Sequence, residues 1–286
     1  MAIERVFVAG AGLMGHGIAQ VHAAAGMTVS LYEPDAPRAE AGLARIAGNL
    51  DRAVAKSRLH VTDRDATLAR ITATGDLGAA ADADLVVEAV FEDLGVKSAL
   101  WAELDRIAPP AAIFGTNTSS IAIDGLAAAV AEGRRARFVG VHFFSPVPVM
   151  PLIELIRGTA TDDATEVAVR ELASALDKQV IVSADRPGFI VNRILMPFLG
   201  EAMRAYEQGV GTAEDIDTGA RIGLNHPMGP LALADFIGLD VVLGIMRVLH
   251  EGFGEPQFAP PAVLERLVAE GNLGQKSGRG FHAYPR

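Results

Sequence analysis

Between an apolar run, R-V-F-V-A from Arg5 to Ala9, and a helically spaced stretch from Leu13 to Ala25 stands Gly10-Ala11-Gly12-Leu13-Met14-Gly15. At a strand-to-helix junction, G-x-G-x-x-G assigns each glycine a task. The first makes the tight turn, the second lets a pyrophosphate approach the backbone, and the third packs helix on strand. Backbone N–H groups at the helix N-terminus then face the phosphates. With 30 glycines in the chain the pattern alone arises by chance, so its position carries the argument. Gly26 closes the helix, T-V-S-L-Y (Thr28 to Tyr32) reads as a second strand, and Glu33 ends it. A carboxylate there accepts hydrogen bonds from an adenosine ribose and repels a 2′-phosphate, which predicts NAD rather than NADP. The plain alternative is a solvated glutamate at a strand end.

The alternation continues. A helical stretch from Arg38 to Ser57 follows, and Thr62 with Asp65 matches a capping box opening another helix. Strands are expected at Leu85 to Ala89, Ile113 to Thr116, Phe138 to His142, Leu152 to Ile156 and Val180 to Ser183, with helices near Val96 to Ile107 and Thr165 to Leu176. After Pro187 the texture becomes helical: Phe189 to Gln208, Thr212 to Arg221, Leu231 to Leu249 and Ala262 to Ala269. This predicts an α/β Rossmann-type doubly wound sheet over residues 1–185, followed by an all-α C-terminal domain over residues 186–286.

Composition excludes several functions. Without cysteine there is no disulfide, thiolate nucleophile or Cys-ligated metal, and no metal site is expected. A formal charge of −10 argues against nucleic-acid binding, so an anionic ligand needs local donors. No window of ~20 residues stays apolar, so no membrane span is expected. The apolar stretch from Val6 to Ala25 superficially suggests a signal peptide. However, Glu4 and Arg5 precede it and His16, Gln20 and His22 interrupt it, so a folded cytoplasmic protein is expected.

His142 ends the strand F-V-G-V-H, on the side of such sheets where ligands bind, and a neutral imidazole can accept an alcohol proton. Glu154 lies inside L-I-E-L-I, where an unpaired buried carboxylate is costly. It needs a partner, and His142 is the best candidate. A structural histidine is the alternative reading. Asn117, Ser119 and Ser120 in T-N-T-S-S, and Asn192 with Arg193 after P-G-F-I-V, offer donors to a polarised carbonyl oxygen. The small polar types among them equally cap helices.

Taken together, these residues resemble the 3-hydroxyacyl-CoA dehydrogenase family, its short-chain 3-hydroxybutyryl-CoA members in particular. The resemblance rests on G-A-G-L-M-G-H-G-I-A-Q, V-V-E-A-V-F-E-D, N-T-S-S, H-F-F-S-P-V-P-V-M, P-G-F-I-V-N-R, N-H-P-M-G-P-L and G-Q-K-S-G-R-G-F, in that order along essentially the whole chain. It implies an N-terminal NAD-binding domain and a helical domain that forms a homodimer, with an acyl-CoA between the domains. It further implies a catalytic pair of His142 and Glu154, with Ser119 and Asn192 at the substrate's reacting oxygen and thioester region. Glu92, Lys97 and Lys276 match positions near the cofactor, and Lys56 matches a CoA-contacting lysine. Such lysines would supply the local positive charge that the acidic chain otherwise lacks. Ser145 stands where many members carry Asn after H-F-F, so the resemblance leaves it a shorter-reaching contact to the nicotinamide side.

The implied reaction is reversible oxidation of a (S)-3-hydroxyacyl-CoA to the 3-oxoacyl-CoA. Two other readings remain open at this point: a dehydrogenase of a free 3-hydroxy acid or sugar acid, and a non-catalytic NAD-binding protein on the same fold.

Overall fold

Short runs of Val, Ile, Leu and Phe uninterrupted by polar residues suit strands buried on both faces. The structure, a computed structural model, describes residues 3–285. Its strands are β1 (Arg5–Ala9), β2 (Thr28–Tyr32), β3 (Ile71–Thr74), β4 (Leu85–Glu88), β5 (Ile113–Thr116), β6 (Phe138–Phe143), β7 (Leu152–Arg157) and β8 (Gln179–Ala184). Among the described residues they form one eight-stranded sheet in the order β3-β2-β1-β4-β5-β6-β7-β8. Every neighbouring pair is parallel except β6 with β7, which is antiparallel. The connections reverse direction between β1 and β4, so the crevice beyond their carboxyl ends is where a ligand binds in such sheets.

The first part of the chain adds α1 (Leu13–Ala24), α2 (Ala36–Ala55), α3 (Val61–Ala69), α4 (Leu94–Ile107), α5 (Ile123–Ala127), α6 (Glu132–Arg135) and α7 (Asp163–Ala175). Alternate strand residues go to opposite faces. Val6, Val8, Leu85, Val87, Val139 and Val141 join Ile18 of α1 in one buried cluster. On the other face Phe114 and Phe138 pack on Trp101 of α4, with ring centroids 4.8 and 4.9 Å away.

Helix starts differ from the periodicity in one consistent way. Arg38, Val96 and Thr165 were expected to open α2, α4 and α7, yet each is the third helical residue, its N–H bonded by the carboxylate of Asp35, Asp93 or Asp162. The caps lie outside the apolar periodicity, which therefore begins too late to mark them. The capping box expected at Thr62 is absent. α3 begins at Val61 after His60 without a side-chain cap, and Asp65 instead meets Arg64 Nε at 3.0 Å. Strand β3 escaped the sequence reading because I-T-A-T is short, half-buried and pairs only with β2.

The chain divides into two compact units, Met1–Arg186 and Pro187–Arg286. The second contains α8 (Val191–Glu207), α9 (Ala213–Thr218), α10 (Pro230–Ile237), α11 (Leu239–Phe253) and α12 (Ala262–Ala269) around a core that includes Met196, Leu199, Leu231, Val242 and Leu264. The apolar stretch from Leu231 to Leu249 is broken into two helices at Gly238, whose φ of +102° no helical residue adopts. The helix expected up to Arg221 ends at Thr218 and passes into one wide π-type turn over Gly219–Gly223. No helix among the described residues is long and apolar enough to cross a membrane.

Candidate active site

The glycine loop joins β1 to α1. Gly10 has φ +101°, and a Cβ there would stand 2.6 Å from the Ala89 carbonyl oxygen, so the turn excludes a side chain. A Cβ on Gly15 would fall 1.7 Å from the Gly10 carbonyl oxygen, which is the close helix-on-strand contact expected of the third glycine. At Gly12 a Cβ would meet nothing within 4 Å, leaving backbone open to a ligand. Glu33, just past β2, accepts a hydrogen bond from the Ala11 N–H at 3.2 Å. Gly12, Glu33 and Arg38 help line a cleft of about 560 Å³. An exposed glycine backbone, a helix N-terminus and a ribose-reaching carboxylate together fit the adenosine and pyrophosphate of a dinucleotide.

The second part of the site follows from the sheet's one antiparallel pairing. Where β7 runs back along β6, His142 and Glu154 fall in direct register, which places both side chains on one face. His142 Nδ1 lies 2.8 Å from Glu154 Oε2, with the histidine 5% and the glutamate 0% exposed. An ionised carboxylate only accepts, so Nδ1 carries the proton and Nε2 is the ring's accepting nitrogen, the one that can act as a base. Nε2 faces the Ser119 hydroxyl at 3.1 Å. The imidazole thus has a fixed orientation, a fixed tautomer and a hydroxyl donor beside its reactive nitrogen.

Ser119 is itself held by a buried charge network. The Lys97 ammonium, 1% exposed, reaches Glu88 Oε1 at 2.7 Å and Glu92 Oε2 at 2.9 Å. Glu88, at the end of β4, also accepts from the Thr116 hydroxyl and the Val90 N–H. Glu92 Oε1 accepts the N–H groups of Ser119 and Ser120 and the hydroxyls of Thr118 and Ser120. Burial pushes the Glu92 carboxyl upward, but the Lys97 charge and the Thr118 hydroxyl outweigh it and hold the group below its usual range. Glu88 and Thr116 were missed from the sequence, although L-V-V-E presents the same acidic residue in an apolar strand that singled out Glu154.

Other candidates fall elsewhere. Asn117 Oδ1 accepts the Phe143 N–H at 2.8 Å, so its carbonyl locks the end of β6 beside β5. Neither Ser119 nor Ser120 caps a helix; the Thr118 hydroxyl accepts the N–H groups of Ser120 and Ile121 instead. The Lys97 ammonium, a position the resemblance puts near the cofactor, is bound by the Glu88 and Glu92 carboxylates. Ser145 is exposed two residues after β6, and Lys56 is exposed at the C-terminus of α2. The second unit carries three more. Asn192 is buried in the first turn of α8 without capping it. The Arg193 guanidinium lies 4.0 Å over the Phe253 ring, which ties it to its own helical core. Lys276 Nζ lies 2.5 Å from Asp240.

The sequence matches the description "3-hydroxyacyl-CoA dehydrogenase, NAD binding domain" over residues 5–186 and "3-hydroxyacyl-CoA dehydrogenase, C-terminal domain" over residues 188–284. It is 48% identical over 285 residues to a 3-hydroxybutyryl-CoA dehydrogenase of Mycobacterium tuberculosis, covering 99% of each chain. It is 41% identical to the mitochondrial hydroxyacyl-coenzyme A dehydrogenase of Sus scrofa, covering 99% of this chain and 91% of that one. The fold superposes with a TM-score of 0.95 on the crystal structure of (S)-3-hydroxybutyryl-CoA dehydrogenase from Ralstonia eutropha, at 42% identity and covering all of both chains.

Proposed function

This chain belongs to the 3-hydroxyacyl-CoA dehydrogenase family, and from that premise we propose that it oxidises a short (S)-3-hydroxyacyl-CoA, 3-hydroxybutyryl-CoA foremost, to the 3-oxoacyl-CoA, with His142 as the acid/base. The observation that carries this reading is the register pair of His142 and Glu154, with Ser119 at the ring's Nε2. NAD, when bound, supplies the hydride acceptor. Gly12 and its neighbouring N–H groups would hold the pyrophosphate, Glu33 the adenosine ribose, and Glu92 the nicotinamide end. His142 Nε2 takes the proton of the substrate hydroxyl, and the Glu154 carboxylate stabilises the imidazolium that forms. Ser119 donates to the same substrate oxygen as it becomes a carbonyl, and its turn is held against recoil by Glu92. In the reverse direction the imidazolium returns its proton to the nascent alkoxide.

Asn192 at the thioester, Lys56 at the CoA phosphates, Lys276 near the cofactor and Ser145 on the nicotinamide side complete the proposed set. A homodimer through the helical unit and a cytoplasmic location belong to the same reading. The dimer draws support from the apolar side chains that unit exposes, among them Ile194, Val210, Ile222 and Phe236.

The test is NADH consumption with acetoacetyl-CoA, longer 3-oxoacyl-CoAs and free acetoacetate. Turnover of acetoacetyl-CoA far above that of the free acid is expected. A preference for the free acid would overturn the CoA assignment, and tight NADH binding without turnover of any compound would favour a non-catalytic role.

A further inference from the structure

The cleft beside the glycine loop contains more charge than an adenosine ribose requires. Arg38 and Arg45 line it together with Glu33, and Ala41 lies between them. Positions 38, 41 and 45 share one face of α2, so the small side chain leaves a gap flanked by two guanidinium groups. Neither guanidinium forms an ion pair among the described residues; Asp35, three residues before Arg38, uses one carboxylate oxygen to cap the helix. The helix is also held close to the loop. A Cβ on Gly42 would lie 2.8 Å from the Ala11 side chain and 3.0 Å from its carbonyl oxygen, so α2 packs directly on the loop with no room for a side chain between them.

A cleft built only for an unphosphorylated ribose needs a carboxylate acceptor, not two unpaired guanidinium groups. Planar guanidinium forks are matched to phosphate, and an arginine near this position is what accommodates a 2′-phosphate in dinucleotide folds. We infer that Arg38 and Arg45 form a latent phosphate-binding pair, and that the discrimination of this site against a 2′-phosphorylated dinucleotide rests on the Glu33 carboxylate alone. Without Glu33's charge the wall facing the ribose is doubly positive; with it, a phosphate dianion meets a carboxylate that is itself fixed by the Ala11 N–H. The inference rests on the NAD site proposed above.

The experiment compares binding of 5′-AMP and 2′,5′-ADP by calorimetry, alongside turnover with NADH and NADPH. Glu33→Gln removes the charge but keeps an acceptor for Ala11. It is expected to raise the affinity for 2′,5′-ADP relative to 5′-AMP by about tenfold or more, the scale of one charge-assisted contact, with a parallel gain in NADPH use. Adding Arg38→Ala and Arg45→Ala should abolish the gain. In the otherwise native chain each arginine variant should weaken 2′,5′-ADP more than 5′-AMP, which keeps the inference testable should the Glu33 variant fold poorly. No gain in Glu33→Gln, or a gain that survives loss of both arginines, overturns it. Failure of the native chain to turn over acetoacetyl-CoA with NADH would strike the proposed function instead, while the nucleotide comparison would still decide the arginines.

Discussion

A histidine buried at 5% exposure is available for proton transfer because each ring nitrogen has a defined neighbour. Glu154 occupies Nδ1 and Ser119 stands at Nε2, so His142→Ala should leave NADH affinity near native while turnover falls by about 10²–10⁴-fold, the usual share of a positioned acid/base. Unchanged turnover, measured with NADH affinity on the same preparation, would remove His142 from the mechanism. His22 is a histidine of the opposite kind. It is fully buried, its Nδ1 bonds the Ile18 carbonyl oxygen, and burial lowers its pKa from 6.5 to about 4. Because the unfolded chain takes up a proton more readily, the stability this residue carries is complete above pH 6.5 and is lost as the pH falls from 6.5 towards about 4. The loss should approach about 3 kcal/mol. Denaturant titrations across that range should show the decline in the native chain and a shallower one in His22→Leu; equal slopes would refute the assignment.

At the scale of elements, the glycine loop separates binding from folding. Gly12 has φ −70°, and a methyl group there meets no protein atom, so Gly12→Ala should unfold at a near-native temperature yet bind NADH poorly. Gly15→Ala places a methyl group on the Gly10 carbonyl oxygen and should cost about 3 kcal/mol through displacement of α1 from β1. Thermal melts with NADH titrations distinguish the two, and equal stability losses would contradict the loop geometry. The link between β4, α4 and the turn after β5 is electrostatic. Glu88→Gln leaves Lys97 with one carboxylate in a dry site and should destabilise by about 3 kcal/mol or more. It should also loosen Ser119, raising the KM for the acyl-CoA; a stable variant with native kinetics would show that the network does not position Ser119.

For the whole molecule, the proposed dimer predicts a particle of about twice the 29.9 kDa chain mass in sedimentation equilibrium, and a monomer at micromolar concentration would remove it. Strand-like alternation stops near Pro187 and helical periodicity replaces it, and the second compact unit begins at Pro187. The sheet was legible for a related reason: strands buried on both faces are written as unbroken apolar runs. What the periodicity left out were β3, a short edge strand with little burial, and the Asp caps, which precede the pattern they start.

Local pattern alone was enough to determine the glycine turn between β1 and α1, the carboxylate at the end of β2, and the need for Glu154 to have a partner, since each is a conflict or a constraint confined to a few neighbouring residues. The identity of that partner was decided by tertiary structure. β7 returns antiparallel to β6 in the one register that sets Glu154 opposite His142, and a slip of a single residue would turn the carboxylate to the other face. Tertiary structure likewise joined Glu88, Lys97 and Glu92 to Ser119 and brought Arg38 and Arg45 into the cleft with Glu33. Side-chain direction follows from pairing between distant segments, and periodicity along the chain does not specify which segments pair.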